Sequence, residues 1–314
     1  MVGTTTGAGR PVCARFADCG GLYLRRLAGR TPQCLNRGLL WLSLLLLAAP
    51  AQAFGERGHE LVAQLATYYL SDDAHAMVTD LYGENYRRAL LEDANYAAQL
   101  TRERGNEWRL GYHYTWFTEG DDGYSAAQHC PNNLCSVSAV MTAEQVLLSA
   151  NAKRNQRRDA FRMLMHFMAD LHDPMNAGFR ADRGGRELEL QASDLSRHTL
   201  YNVWQEGLFD HLPHAPFVMA NAWSRSLSEE QRREWQRGEP ASWVWETHEM
   251  ARDLAYPLVE RAGGWNARYR REAMPALEVQ LKKAAVRLAV RLNMIAASNP
   301  ATAGMDGVPA LLDF

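Results

Sequence analysis

The sequence predicts an all-α fold built as one compact helical domain. Strand-like alternation is scarce, and apolar residues recur at helical spacing in several separate stretches. At 314 residues and 47% hydrophobic composition, the chain is long and apolar enough for a sizeable core.

The elements follow in chain order. Residues 1–53 read as a signal peptide with an extended N-region: Arg37, the apolar run Leu39 to Ala49 (LLWLSLLLLAA), then Pro50 and Ala51-Gln52-Ala53 as a small-x-small cleavage site. That run is too short to cross a bilayer, which takes about 20 residues, so no stable span is expected after cleavage. The domain is placed at 54–297. HELVAQLATYYL (59–70) aligns Leu61, Val62, Leu65, Ala66 and Tyr69 on one helical face. Cys130 and Cys135, in CPNNLC, are the two cysteines left after the leader. They read as a small-loop disulfide; a zinc pair, the rival, lacks a second pair. A helix is expected from Asp159 to His172, stopped by Pro174, and another from Ser242 to Leu254. Glu187-Leu188-Glu189-Leu190 alternates after two glycines and suggests a short hairpin arm. The clearest helix is the last, where Leu277, Leu281, Ala285, Leu288, Leu292 and Ile295 keep gaps of three and four. Residues 298–314 read as a flexible tail.

With the leader's six arginines and one aspartate set aside from 34 basic and 36 acidic residues, 28 and 35 remain, a net charge of −7. An acidic protein meets nucleic acid poorly unless bound metal ions supply positive charge. There is no Gly-rich phosphate loop.

His166 and Asp170 stand four residues apart and project from one side of their helix. On spacing alone such a pair is more often an ion pair than two metal ligands, and a buried carboxylate can be compensated either way. Cleavage after Ala53 would expose Phe54, whose α-amine and carbonyl can chelate a metal, with His59 close by in FGERGH.

In this order the motifs resemble the zinc-dependent single-strand nucleases (the S-one/P-one family, related to zinc phospholipase C). FGERGH resembles the family's Trp-Gly-x-x-Gly-His start, and Asn95-Tyr96-Ala97-Ala98 its Trp-Ala-Asp segment. Tyr112-His113-Tyr114 and the Cys130–Cys135 loop with Ser136 to Val140 also match. HFMADLHDPMN (166–176) resembles His-Phe-x-Gly-Asp-x-His-Gln-Pro-Leu-His, and Asp182 to Arg186 resembles Asp-x-Gly-Gly-Asn. Thr199 to Gln205 and QLKKAAVRLAVRLN (280–293) complete the series across the mature chain.

The resemblance implies the family's helical fold and a phosphodiester hydrolase acting on single-stranded nucleic acid or 3′-nucleotides. The leader, for its part, predicts an exported protein, periplasmic or secreted. The family holds three zinc ions. Carried over residue by residue, the first ion's ligands are the Phe54 main chain, His59 and Asp170. The second keeps His113, His166 and Asp170 but meets Ala98 where a carboxylate belongs. The third meets Asn176, Tyr201 and Gln205, amides and a phenol that replace its ligands. One or two zinc ions are therefore expected rather than three, with Asp170, His113 and His166 as catalytic candidates and Tyr114 as a base-stacking platform. The three replacements are expected to hydrogen-bond one another. An arginine expected after the lost carboxylate is Thr101. His198, three residues before Tyr201, is a candidate substitute ligand, whereas helical geometry points Asp93 and Glu92 away from the place of Ala98. Two function classes follow: a diverged phosphoesterase with a residual dinuclear centre, or a catalytically inactive binding or structural protein that keeps one metal.

Overall fold

The computed structural model describes residues 55–191 and 198–298. The leader, Phe54 and residues 299–314 of the expected tail lie outside the described residues.

Helix α1 spans Gly55–Ala66 and buries Leu61, Val62, Leu65 and Ala66, as their spacing predicts. It starts four residues earlier than expected and stops sooner. Thr67–Tyr69 tightens into a 3₁₀ turn and Leu70 is extended. Ser71 then caps α2 (Asp72–Tyr82), its hydroxyl accepting from the Ala74 N–H, so the chain has already turned where the periodic pattern continues. Helices α3 (Tyr86–Asp93) and α4 (Tyr96–Arg102) follow, then a 3₁₀ segment, Glu107–His113. The short α5 (Ala126–His129) leads into the disulfide between Cys130 and Cys135, so these cysteines are paired with each other.

Helices α6 (Ser136–Leu148) and α7 (Arg154–Asp170) pack along one another and form the central pair. Helix α7 ends two residues before the expected His172. The His172 N–H bonds back to Ala169 and that of Asp173 to Asp170, a tight last turn that closes ahead of Pro174. The expected arm is present as β1 (Glu189–Leu190) paired antiparallel with β2 (His198–Thr199). Beyond it, α8 (Leu200–Asn202) widens into a π turn over Val203–Gly207. Helices α9 (Pro216–Ser226) and α10 (Glu229–Trp235) follow.

The helix expected over 242–254 runs as α11 (Pro240–Met250), bulges as a π turn at Ala251–Ala255 and resumes as α12 (Tyr256–Ala262). Pro257 has no N–H for the preceding turn, and the bulge absorbs that missing bond. Helix α13 (Ala267–Ala297) begins at Asn266, whose side chain accepts from the Arg268 and Tyr269 N–H groups. Its six periodic residues, from Leu277 to Ile295, are all buried. It packs on α1, α2 and α7, which holds the first and last helices against the central pair. No helix among the described residues is long and apolar enough to cross a membrane.

One ionic knot ties α13 to α11 and α7. Buried Arg287 donates to Glu246, to the Trp235 carbonyl (3.0 Å) and to His172 Nε2 (2.8 Å), and Lys283 also reaches Glu246. Burial alone would raise the Glu246 carboxyl, but the charge of Arg287 and the bonds from Lys283 and Arg287 outweigh it and hold it below its ordinary value. A depressed carboxylate stabilises the fold above the unfolded pKa, and that contribution is lost as pH falls through the folded one. Glu246→Gln is therefore expected to cost about 3 kcal/mol at neutral pH, because it leaves Arg287 without its anion. Urea melts should show the gap to wild type narrowing below pH 4.5, the carboxyl's ordinary value. An equal gap at every pH would show that the ionised carboxylate is not what α13 requires.

Candidate metal centre

Three histidines converge on one carboxylate. Asp170 ends α7 and is fully buried. His166 lies one turn earlier, with Nε2 3.3 Å from Asp170 Oδ2. Helix α1 brings His59, with Nε2 3.4 Å from Asp170 Oδ1. The end of the 3₁₀ segment brings His113, whose Nδ1 donates to Asp170 Oδ2 at 2.7 Å. The His59 and His166 rings are stacked 4.0 Å apart and 11° from parallel.

The hydrogen bonds assign the lone pairs. His59 Nδ1 meets the Gly55 carbonyl at 3.1 Å, and His166 Nδ1 meets the Ala94 carbonyl at 2.9 Å. A carbonyl only accepts, so each ring carries its proton on Nδ1. Both Nε2 atoms then present lone pairs to the carboxylate, buried and without a hydrogen-bond partner among the described residues. Burial lowers the His59 pKa and favours its neutral form. Two imidazole lone pairs facing a carboxylate with no proton between them repel it unless a cation joins them. His59, His166 and Asp170 thus form a group that fits one metal ion, their ligand atoms all within 4.8 Å of one another. Burial would raise the Asp170 carboxyl, yet its histidine neighbours His166 and His113 hold it well below the ordinary carboxylate range.

His113 stands differently. Its Nδ1 is engaged by Asp170, and its Nε2 meets Thr101 Oγ1 at 3.1 Å. It shares the carboxylate with the metal-binding group while its nitrogens are committed to hydrogen bonds. Ala98, buried in α4, offers no ligand. Neither acidic neighbour replaces it: Asp93 pairs with Arg162 at 2.7 Å, and Glu92 lies in an exposed pair with Arg88. His198 sits in β2 with its ring 6.4 Å from Trp265.

Asn176, Tyr201 and Gln205 do not bond one another as expected. The Asn176 amide donates to Asp170 Oδ1 at 3.0 Å, and that of Gln205 donates to Asp173. Buried carboxylates attract amide N–H groups more strongly than neutral oxygens do. The Tyr201 ring instead lies beneath the Arg186 guanidinium, 3.6 Å from its centroid. Tyr114 stacks on Trp116, ring centroids 4.7 Å apart, and its hydroxyl accepts from Arg186 at 2.9 Å. Trp116 thus covers one face of the expected base platform.

Sequence reasoning missed Asp173 and Arg186. Asp173 is fully buried, and burial pushes its carboxyl up to about 7 against the bonds from Gln205 and the Met175 N–H. The available signal was a carboxylate in HFMADLHDPMN where the family pattern has glutamine. Arg186 likewise stands where that pattern has asparagine.

An all-α body with a buried histidine–carboxylate group at its centre defines a helical protein with a candidate metal site. The chain belongs to the S1/P1 nuclease family, whose sequence profile matches residues 54–297. Endonuclease 5 of Arabidopsis thaliana is 24% identical, over 85% of this chain and 99% of that protein. Endonuclease 2 of the same plant is 24% identical, over 80% of this chain and 93% of its own length. Nuclease S1 of Aspergillus oryzae is 22% identical, over 52% of this chain and 57% of its own.

Proposed function

We propose that this protein is a metal-dependent phosphodiester hydrolase acting on single-stranded nucleic acid or 3′-nucleotides, with a metal centre reduced from the family's three zinc ions to one or two. The observation that carries this reading is the pair of buried Nε2 atoms on His59 and His166, aimed at Asp170 and without a hydrogen-bond partner among the described residues. Those three residues would hold a zinc ion, and the Phe54 main chain would join them if residues 1–53 are removed on export to the periplasm or medium. A zinc ion so held lowers the pKa of bound water and polarises a phosphoryl oxygen. His113 holds a proton on Nδ1 against Asp170, and Thr101 fixes the opposite side of its ring. A second ion would need His113 to release that bond. Asn176 and Gln205 lack the charge and basicity of the ligands they replace, so no third ion is expected.

The second reading is a catalytically inactive family member that keeps one ion for folding. It is favoured by the Asn176 amide on Asp170 Oδ1, a neutral donor where the resemblance places a ligand of the third ion.

Elemental analysis of secreted, processed protein, with cleavage of an oligothymidylate assayed on the same sample, separates the readings. One or two ions with metal-dependent cleavage are expected. One ion without cleavage supports the second reading, and three would overturn the loss of the outer site. Restoring Ala98→Asp, Asn176→His, Tyr201→His and Gln205→Asp together should then raise cleavage.

A further inference from the structure

Arg186 follows the Gly184-Gly185 turn and is half-buried beside the centre. Its guanidinium rests 3.6 Å from the Tyr201 ring centroid, 4.6 Å from that of Tyr114 and 5.8 Å from that of Trp116. Nη2 donates to the Tyr114 hydroxyl at 2.9 Å, and Nη1 to the Arg183 carbonyl at 2.8 Å. These bonds occupy two of the five N–H donors of a guanidinium and fix its plane. Among the described residues no carboxylate lies within ion-pairing distance of it.

The surroundings make such a cation useful. Tyr201 leads into the π turn that bears Gln205, and Gln205 donates to Asp173. Two buried carboxylates, Asp170 and Asp173, therefore lie on this side of the molecule, and the chain without residues 1–53 is net acidic. A phosphate approaching them is repelled unless a positive group receives it. An arginine held flat by aromatic rings, with donors left over, is suited to phosphate oxygens.

We propose that Arg186 is a phosphate-binding residue of this centre, a fixed cation that receives a non-bridging oxygen of a phosphodiester or phosphate monoester on its remaining N–H donors. The inference rests on the hydrolase reading for the identity of the substrate, but not for phosphate binding itself.

The test titrates inorganic phosphate and a cleavage-resistant phosphorothioate oligothymidylate into zinc-loaded and EDTA-stripped protein, wild type and Arg186→Gln. Loss of a hydrogen bond to a charged group is expected to weaken binding by about tenfold or more, with metal content and melting temperature unchanged. Arg186→Lys should recover part of the loss, because it keeps the charge but not the fork. Weakening of both probes places free phosphate and nucleic acid at this residue; weakening of the oligonucleotide alone assigns it to backbone phosphates. Affinities within twofold of wild type in Arg186→Gln, or no binding of either probe by wild type, would overturn the proposal. If Arg186→Gln does not fold, the wild-type arginine Nε–Hε resonance that is missing from Arg186→Lys decides. A saturable shift with phosphate supports the proposal, and none overturns it. Arg186-dependent binding by stripped protein that never regains zinc would leave this inference standing and remove the metal-dependent reading.

Discussion

Asp170→Asn should strip the protein of metal and of any phosphodiester cleavage, and should lower its melting midpoint by about 10 °C. The side chain keeps its shape, so the loss would come from charge alone. Asp170 accepts from His113 and Asn176 while facing the open Nε2 atoms of His59 and His166. An amide cannot neutralise a cation, and it presents N–H groups to a site already supplied with a donor from His113. The cost is expected near the lower end of the roughly 3–5 kcal/mol typical for removing one member of a buried charged set. His59→Gln should lose metal while melting closer to wild type, because His59 makes no hydrogen bond to Asp170. The measurements are metal per chain and a thermal melt on each variant. Full metal content in Asp170→Asn would show that His59 and His166 do not share a cation through this carboxylate.

Gly184→Ala should be nearly as damaging, though residue 184 carries no functional group. Gly184 has φ +68°, and an added Cβ would lie 2.1 Å from the Met175 carbonyl oxygen and 2.8 Å from Trp116 Nε1. Backbone and a packed indole meet it on two sides, so the turn must move, and Arg186 with it. Gly263 separates the two contributions. It has φ +74° at the end of α12, but an added Cβ there meets nothing within 4 Å. Gly263→Ala should therefore cost only the left-handed conformational penalty of about 1–2 kcal/mol. Gly184→Ala should exceed that by at least about 2 kcal/mol, on the scale of overpacking a filled interior. Chemical denaturation of both variants tests this. Equal losses would mean that the turn relaxes freely around residue 184.

Much of the fold was legible because α13 and α1 carry an apolar period that only a helix satisfies, and packing obeys it. The expected helix over 242–254 ends short of Pro257, and nothing local says that a π bulge will carry it on past that proline. At the centre, His166 and Asp170 announced themselves by spacing within one helix. Their tie to His59 and His113 became visible through the order of family motifs, since three separate segments must converge to make it. The proton on His113 Nδ1, the buried carboxyl of Asp173 and the cation of Arg186 depend on partners far away in the chain. Tyr201 and Gln205 were read as replacements for ligands, but their contacts, with Arg186 and with Asp173, follow from partners that only the folded chain brings near.

Gly55 is wedged so closely against the turn bearing Gln205 that a methyl group there would come within 2.3 Å of the Gln205 carbonyl oxygen. The polypeptide therefore enters its folded body barely one helical turn ahead of His59. Affinity handles belong at the carboxyl end, since one kept upstream would adjoin the helical turn that carries His59.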